Sequence, residues 1–153
     1  MAAQRGSKKA NAVGINHIAL EVDDIDEALE FYGGFLSFGL RSKSEDAAFI
    51  DLGDQFINFA KGRTQDPDDK RHFGIAVDDK ELVRQRLQEM GVELVPGPFL
   101  DFLDPWGNRV EITTYQNIQF SKTPEVLKGM GLEGLGKTEE ALKELAEKGM
   151  APA

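Results

Sequence analysis

The amino-acid sequence predicts an α+β fold in which two tandem βαβββ modules form a shared concave sheet and a helical extension follows at the C terminus. Three observations predict this arrangement. Short runs with apolar residues at every second position are typical of strands, and stretches with apolar residues at intervals of three or four are typical of helices. The order of these segments then occurs twice along the chain, which is the pattern of a duplicated structural unit.

The first module begins with a predicted strand at residues 15–22. Apolar residues at every second position alternate there with His17, so His17 points to the face opposite the aliphatic side chains. Asp24 and Glu27 have the spacing of a helix capping box. The helix that they start is predicted to end at Gly33-Gly34.

The first module ends with a predicted β-hairpin. Its strands are residues 47–52 and 56–60, and Gly53-Asp54 forms the turn between them. Residues 62–70 are polar and rich in turn-forming residues, so they are the natural connector between the two modules.

His72 opens the second module, 55 residues after His17. Asp78 and Glu81 repeat the capping signal, which predicts a second helix. The apolar face of this helix and the glycine that ends it are formed by Val83, Leu87, Met90 and Gly91. Three strands are predicted to follow, at residues 93–95, 100–103 and 109–115.

The turn before the last of these strands has the sequence Asp-Pro-Trp-Gly-Asn. Proline presets one backbone angle, and glycine or asparagine accepts the left-handed conformation, so residues 104–108 are predicted to form a tight turn served by Asp101 and Asp104. Glu111 follows on the strand face opposite its core residues, together with Thr113 and Tyr115. A carboxylate at such a position must reach water or meet a positive group, and a metal ion would be one such group.

The repeat also aligns Asn58 with Glu111, which lies 53 residues later. If the first and last strands of each module pair, then His17, Asn58, His72 and Glu111 all lie on sheet faces turned away from the helices. A concave face of this kind is where small ligands usually bind.

The composition excludes several classes of function. The 153-residue chain has no cysteine, so disulfides, thiolate nucleophiles and cysteine-based metal sites are excluded. Its net charge of −9 argues against nucleic acid and anionic membranes as partners, which leaves a small molecule or another protein. No apolar run follows the first residues, so we expect no signal peptide and a cytoplasmic location.

These segments define the expected domain organisation. Residues 1–13 are expected to be a flexible N terminus, and residues 14–116 a single domain made of module one at 14–61 and module two at 71–116. Residues 117–153 are expected to form the helical extension.

The sequence resembles the vicinal oxygen chelate superfamily. This group includes glyoxalase I, methylmalonyl-CoA epimerase, fosfomycin-modifying transferases, extradiol dioxygenases and metal-free bleomycin-binding proteins. The motifs that carry the resemblance are Asn16-His17-Ile18-Ala19-Leu20, Phe31-Tyr32 before the Gly-Gly turn, and Asp104-Pro105-Trp106-Gly107-Asn108 before Val110-Glu111-Ile112. The resemblance implies the duplicated fold, but not one reaction, because a single fold hosts many chemistries.

By position, His17, His72 and Glu111 match the metal ligands of this family. Two imidazoles and one carboxylate leave coordination positions open, which suits Fe and also Mn, Co, Ni or Zn. Asn58 is a candidate for a fourth position. It departs from the glutamate or glutamine of glyoxalase-like and epimerase-like members, and asparagine cannot act as a general base. The threonine usual after the first ligand in fosfomycin transferases is also absent, since Ile18 and Ala19 stand there.

The resemblance therefore implies a metal-dependent enzyme of the glyoxalase, bleomycin-resistance or dioxygenase type that chelates a small substrate through adjacent oxygens. Dioxygenase-like chemistry and glyoxalase-type lyase chemistry both remain open. Glu111 is the expected catalytic residue, and Tyr115 and Thr113 are candidates that shape the pocket. The alternative is a metal-free protein that sequesters a small molecule. Phe49, Phe56, Phe102 and Trp106 could line a cup for an aromatic substrate, although aromatic side chains in strands belong to the core by default. Relatives of this size are often homodimers, and some build the site from two chains.

The C-terminal region contains a misleading motif. Residues 131–138 satisfy the phosphate-loop pattern G-x-x-x-x-G-K-T. However, Thr123 and Pro124 before it are typical of a capped helical turn rather than of a buried strand. We interpret the motif as a glycine-rich hinge into a last helix, from about Thr138 to Lys148, that packs on the sheet or contacts a second subunit.

Overall fold

The computed structural model describes residues 9–152, so residues 1–8 of the predicted flexible N terminus lie outside the described part. The predicted tandem βαβββ modules are confirmed. The first consists of β1 (His17–Val22), α1 (Ile25–Gly33), β2 (Gly39–Lys43), β3 (Ala47–Asp51) and β4 (Phe56–Lys61). The second consists of β5 (Phe73–Val77), α2 (Lys80–Glu89), β6 (Leu94–Val95), β7 (Leu100–Leu103) and β8 (Arg109–Thr114). A 3₁₀ turn (Tyr115–Asn117), α3 (Pro124–Gly129) and α4 (Glu139–Glu147) follow.

Each module forms its own four-stranded sheet, with the strand orders β1-β4-β3-β2 and β5-β8-β7-β6. As expected, the first and last strands of each module pair, and they run parallel. Ala19 lies opposite Asn58 in the first sheet, and Gly74 lies opposite Glu111 in the second. The two sheets therefore present equivalent positions on their two outward faces.

The helices begin at aspartate caps in both modules. Asp24 Oδ1 accepts a hydrogen bond from Glu27 N at 2.9 Å, as predicted. In the second module the predicted cap, Asp78, is wrong, because Asp79 Oδ1 accepts from Leu82 N at 3.0 Å. Asp79 is the residue that lies 55 positions after Asp24, so the repeat itself points to the correct cap.

The helix-bearing sides of the two modules share one hydrophobic core. Phe102 of β7 is fully buried, and its ring centroid lies 5.3 Å from that of Phe35, which follows α1. Arg86 Nε of α2 donates to the carbonyl oxygen of Gly34 at 2.9 Å. Because the modules of one chain meet through their helix-bearing sides, their outward sheet faces point away from this junction.

The predicted turn at residues 104–108 is confirmed, and Asp104 organises it. Its carboxylate accepts hydrogen bonds from Trp106 N at 3.0 Å and from Asn108 N and Nδ2 at 2.8 and 2.9 Å. Tyr32 Oη of α1 donates to the same carboxylate at 2.7 Å. Asp104 therefore fixes both the turn and its contact with the first module.

The C-terminal extension packs back on the chain. Thr123 and Thr138 cap α3 and α4 through their side-chain oxygens, as the sequence predicts. Lys122 forms an ion pair with Asp54 in the β3–β4 turn, and Gln119 Nε2 donates to Glu144 of α4 at 2.9 Å. Among residues 9–152, no helix is both long enough and apolar enough to cross a bilayer.

Lys137 of the glycine-rich motif is engaged within the chain. Its Nζ donates to the carbonyl oxygens of Tyr115, at 2.6 Å, and of Phe120. Its charge lies 3.5 Å from the centroid of the Tyr115 ring, and burial lowers the pKa of the ammonium group. This lysine thus anchors the hinge before α4, which agrees with the interpretation of the motif as structural.

Candidate metal centre

Glu111 and His72 come together on the outward face of the second sheet. Glu111 lies on β8 opposite Gly74 of the parallel strand β5, and His72 immediately precedes β5. The distance between His72 Nε2 and Glu111 Oε1 is 3.4 Å. Their side chains are 45% and 21% exposed, so the pair is accessible from solvent.

The ring of His72 is held by its other nitrogen. His72 Nδ1 lies 2.8 Å from the carbonyl oxygen of Lys70, and because a carbonyl can only accept, Nδ1 carries the hydrogen. With Nδ1 engaged in this way, Nε2 is the ring nitrogen that faces Glu111. Histidines that bind metals commonly donate their second ring N–H to a backbone carbonyl in this way.

His17 has the same arrangement on the first sheet. Its Nδ1 lies 2.8 Å from Asn16 Oδ1, and its ring stacks on Phe56 with centroids 4.5 Å apart. The guanidinium of Arg41 lies 4.3 Å from the centroid of the same phenylalanine. Both histidines therefore have Nδ1 tied to an adjacent acceptor, which leaves Nε2 as the nitrogen that could bind a metal ion.

One chain brings together two of the three predicted ligands. Among residues 9–152, no three histidine, aspartate or glutamate side chains lie close enough to hold a metal ion jointly. His72 and Glu111 form a pair on one sheet, while His17 lies on the other sheet.

Asn58, the candidate for a fourth position, lies with His17. It sits on β4 opposite Ala19 of β1, and its side chain shares the outward face of the first sheet. Asn58 Oδ1 is buried and has no hydrogen-bond partner among the described residues. An unsatisfied buried amide oxygen is uncommon and is suited to accept a hydrogen bond from a ligand.

Tyr115 does not lie on the strand face with Glu111, so this prediction is wrong. The strand ends at Thr114, and Tyr115 starts the following 3₁₀ turn. Its side chain is buried, and its hydroxyl oxygen accepts a hydrogen bond from Lys122 N at 3.0 Å. Tyr115 therefore lies outside the sheet, where it anchors the C-terminal extension.

The four aromatic side chains considered for a cup divide into two groups. Phe102 and Trp106 belong to the core and do not line an outward surface. Phe49 and Phe56 are half-buried on the outward face of the first sheet, with ring centroids 5.8 Å apart. Phe56 stacks on His17, and Phe49 lies next to Phe56 on the neighbouring strand, so both remain candidates for contact with a ligand.

The sequence predicts Asp101 to serve the turn, and this prediction is wrong. It lies on β7 directly opposite Glu111, and its carboxylate binds Arg109 of β8. The alternation of β7 is the sequence signal that could have located Asp101. Asp101 stands between the buried Leu100 and Phe102, just as Glu111 stands between Val110 and Ile112 on β8.

A family model described as the Glyoxalase/Bleomycin resistance protein/Dioxygenase superfamily matches residues 14–112. The chain belongs to this superfamily. The match covers nearly all of the domain predicted at residues 14–116, and it ends before the C-terminal extension.

Several known proteins are similar to the chain. It is 28% identical over 110 residues to the glutathione transferase FosA of Serratia marcescens, covering 64% of this chain and 78% of that protein. The fold matches the fosfomycin resistance protein FosX of Listeria monocytogenes, in a structure with Mn(II) and sulfate, with a TM-score of 0.60 and 19% identity over 68% of this chain and 93% of FosX. Lactoylglutathione lyase from Agrobacterium tumefaciens matches with a TM-score of 0.55 and 21% identity over 69% and 96% of the two chains.

Proposed function

We propose that this protein is a metal-dependent enzyme that binds a small substrate through adjacent oxygens at a divalent metal ion held by His17, His72 and Glu111. The observation that carries the proposal is the 3.4 Å approach of His72 Nε2 to Glu111 Oε1. Both atoms are available as ligands, because Lys70 occupies the other nitrogen of His72 and the carboxylate is partly exposed. Fe, Mn, Ni, Co and Zn all accept this donor set.

The metal site is proposed to form between two chains of a homodimer. In one chain His72 and Glu111 lie on the second sheet, while His17 lies on the first sheet, whose outward face points away from the shared core. A second copy can bring the first sheet of one chain against the second sheet of its partner, and a twofold dimer would then contain two equivalent sites. The concave surface predicted from the repeat would lie between these two sheets.

A bound divalent ion would act as a Lewis acid that stabilises negative charge on the substrate oxygens. The residues of this chain would hold the ion and orient its ligands. His72 is kept in the ligating tautomer by Lys70, and His17 by Asn16. Phe56 supports the His17 ring by stacking, and Phe49 extends the apolar wall beside it.

The relatives support a metal-dependent enzyme but leave its reaction open between lyase, transferase and dioxygenase-like chemistry. One is named a glutathione transferase, one a lactoylglutathione lyase, and FosX holds Mn(II). Asn58 supports chemistry that does not need a proton-transferring carboxylate at this position, because an amide cannot serve as a general base. Mn(II) is accordingly the first ion to test.

The metal content of the purified protein tests this proposal. After incubation with Mn(II) and removal of free ion, we expect about one Mn(II) per chain by elemental analysis, as one site per chain requires. The variants His17→Ala, His72→Ala and Glu111→Gln should each lose at least about tenfold in affinity, since each removes one ligand. Glu89→Gln, on the exposed side of α2, is the matched control and should bind as the wild type does. A wild-type protein that takes up neither Mn(II) nor, in parallel incubations, Fe, Ni, Co or Zn would contradict the proposal and favour a metal-free binding protein.

A further inference from the structure

Asp101 is a buried carboxylate on the same sheet face as the proposed metal ligands. It is 5% exposed and lies on β7 between Leu100 and Phe102, which both point into the core. Since side chains alternate along a strand, Asp101 points to the outward face that carries Glu111.

Only one of its two oxygens has a partner among residues 9–152. Arg109 donates to Asp101 Oδ2 from Nε at 3.0 Å and from Nη2 at 2.8 Å. Asp101 Oδ1 is buried and has no hydrogen-bond partner in the described part of the chain. A buried carboxylate oxygen can only accept hydrogen bonds, so its natural complement is a donor from outside the chain.

The register puts this oxygen beside the proposed metal centre. Asp101 and Glu111 are directly opposed in the antiparallel pair of β7 and β8. Residues opposed in this way have Cβ atoms about 4.5–5.5 Å apart. Because β5, β8 and β7 are neighbours in the sheet, Glu111 on β8 lies between Asp101 on β7 and His72, which immediately precedes β5.

The charges around Asp101 do not suit an anionic ligand. Arg109, the cation beside it, donates to Asp101 from Nε and Nη2 and to the carbonyl oxygen of Asp69 from Nη1 at 2.5 Å. Its planar guanidinium is therefore fixed within the chain. An incoming phosphonate, phosphate or sulfate would meet the Asp101 oxygen instead, and two acceptors without a shared hydrogen repel each other.

We propose that Asp101 is a specificity-determining residue whose Oδ1 accepts a hydrogen bond from a hydroxyl, amide or ammonium group of the substrate. This inference rests on the proposed metal site, and it adds the class of ligand. The site selects neutral or cationic molecules that carry a donor next to their chelating oxygens, and it discriminates against phosphonates, phosphates and sulfates.

The variant Asp101→Asn provides a direct test because it changes Oδ1 from an acceptor to a donor with little change in shape. Its amide oxygen can keep the contact with Arg109, which leaves the NH₂ group at the position of Oδ1. Acetohydroxamic acid is the donor-bearing probe with two adjacent oxygens, and methylphosphonate is the anionic probe. Each is titrated by calorimetry into the metal-free protein and into the Mn(II)-treated protein, whose metal content is measured separately.

We expect the wild type to bind acetohydroxamic acid more tightly than methylphosphonate. Asp101→Asn should weaken the hydroxamate and strengthen the phosphonate, so that the ratio of the two dissociation constants changes by at least about tenfold. Asp26→Asn is the matched control, since Asp26 is an exposed residue of α1 in the first module, where it pairs with Lys43 of β2. Asp101→Ser, which also removes the carboxylate, should weaken the hydroxamate in the same direction if Asp101→Asn does not fold.

An unchanged preference in Asp101→Asn would overturn the inference, as would a wild type that binds neither probe. If Asp101→Asn binds Mn(II) tenfold more weakly but keeps the preference between the two probes, Asp101 Oδ1 is a metal ligand. That result would also overturn the inference. If Asp101→Asn takes up Mn(II) normally and keeps the probe preference, the inference fails but the proposed function stands. If the probe preference changes although the wild type takes up no metal, the role of Asp101 is supported and the proposed metal centre is contradicted.

Discussion

Tyr32 and Asp104 form a buried hydrogen bond that links the two modules at the scale of single residues. Tyr32 Oη donates to Asp104 Oδ2 at 2.7 Å, and Asp104 also accepts from two backbone N–H groups of its turn. Tyr32→Phe removes the donor to a buried carboxylate, so we expect a loss of about 1–3 kcal/mol in the free energy of unfolding. Urea unfolding of the two proteins at pH 7 measures it, and a difference near zero would contradict this role.

The same tyrosine should make stability depend on alkaline pH. Burial raises the pKa of the Tyr32 hydroxyl well above its ordinary value, and the negative charge of Asp104 raises it further. Above about pH 10 the unfolded chain ionises this group while the folded chain keeps it protonated. The free energy of unfolding therefore falls as pH rises through this range, by up to about 1.4 kcal/mol per pH unit.

Urea midpoints between pH 8 and pH 11 check the sign of this effect. The wild type should be the more stable protein below pH 10, and its advantage over Tyr32→Phe should shrink above that pH. An advantage that stays constant across the range would show that Tyr32 ionises equally in both states.

Glu111 and Asp101 show how far residue-level reasoning reaches from the sequence. A carboxylate between core residues of a strand must find a cationic, metal or hydrogen-bonding partner, and this argument led to the metal hypothesis for Glu111. Applied to Asp101, it predicts a cationic partner, which is Arg109 in the structure. Asp101 was instead interpreted as a turn residue because aspartate is common in turns, and this local preference concealed the strand alternation.

At the scale of elements, Gly107 fixes the approach of the β7–β8 turn to the connector between the modules. Its φ is +90°, and a Cβ built there would lie 2.8 Å from the Pro67 Cα. Gly107→Ala should therefore combine left-handed strain with a backbone clash. Gly91→Ala is the matched control, because φ is +73° there but nothing lies within 4 Å of an added Cβ.

We expect Gly91→Ala to cost about 1–2 kcal/mol from left-handed strain alone. Gly107→Ala should cost clearly more, since the connector has to move. Thermal and urea unfolding of both variants provide the comparison. Equal losses would mean that the connector yields freely and that its contact with the turn contributes little to stability.

Periodicity and capping predicted most elements, because these signals are local. The alternating strands, the two module helices and the caps at Asp24, Thr123 and Thr138 follow from spacing and side-chain chemistry. The position of β2 does not, because all five of its residues are exposed and show no apolar alternation. The end of β8 could not be predicted in this way. Tyr115 continues the strand alternation in sequence, but the chain turns at Tyr115 and its ring packs against Phe120 with centroids 6.0 Å apart, a contact that spacing does not reveal.

At the scale of the whole molecule, the modules of one chain are joined by their helix-bearing sides. Asn108 Nδ2 donates to the carbonyl oxygen of Glu21 at 3.0 Å, and Arg63 Nη1 donates to Asn108 Oδ1 at 2.5 Å. The sequence indicates which face of each strand is apolar, but not which two sheets will lie face to face. This is why the four like-placed residues could be predicted, whereas their division between two sheets could not.

Metal binding should stabilise the folded protein, because an unfolded chain cannot hold three separated ligands in place. At Mn(II) concentrations one hundred times the dissociation constant, the gain is about 2.7 kcal/mol. Thermal unfolding should show a midpoint that rises with Mn(II) for the wild type and for Glu89→Gln. The midpoint of His72→Ala should not respond, and a similar rise in that variant would place the metal elsewhere.

The central claim is that two chains share the metal site, and a mixed dimer tests it most directly. A His17→Ala chain and a His72→Ala chain are co-expressed with different tags, and the mixed dimer is isolated through both tags. One of its two sites would then contain His17 from one chain with His72 and Glu111 from the other. We predict about one Mn(II) per mixed dimer, against about two for the wild type and almost none for either variant alone. A mixed dimer that binds no Mn(II), or variant chains that form no dimer, would contradict the account.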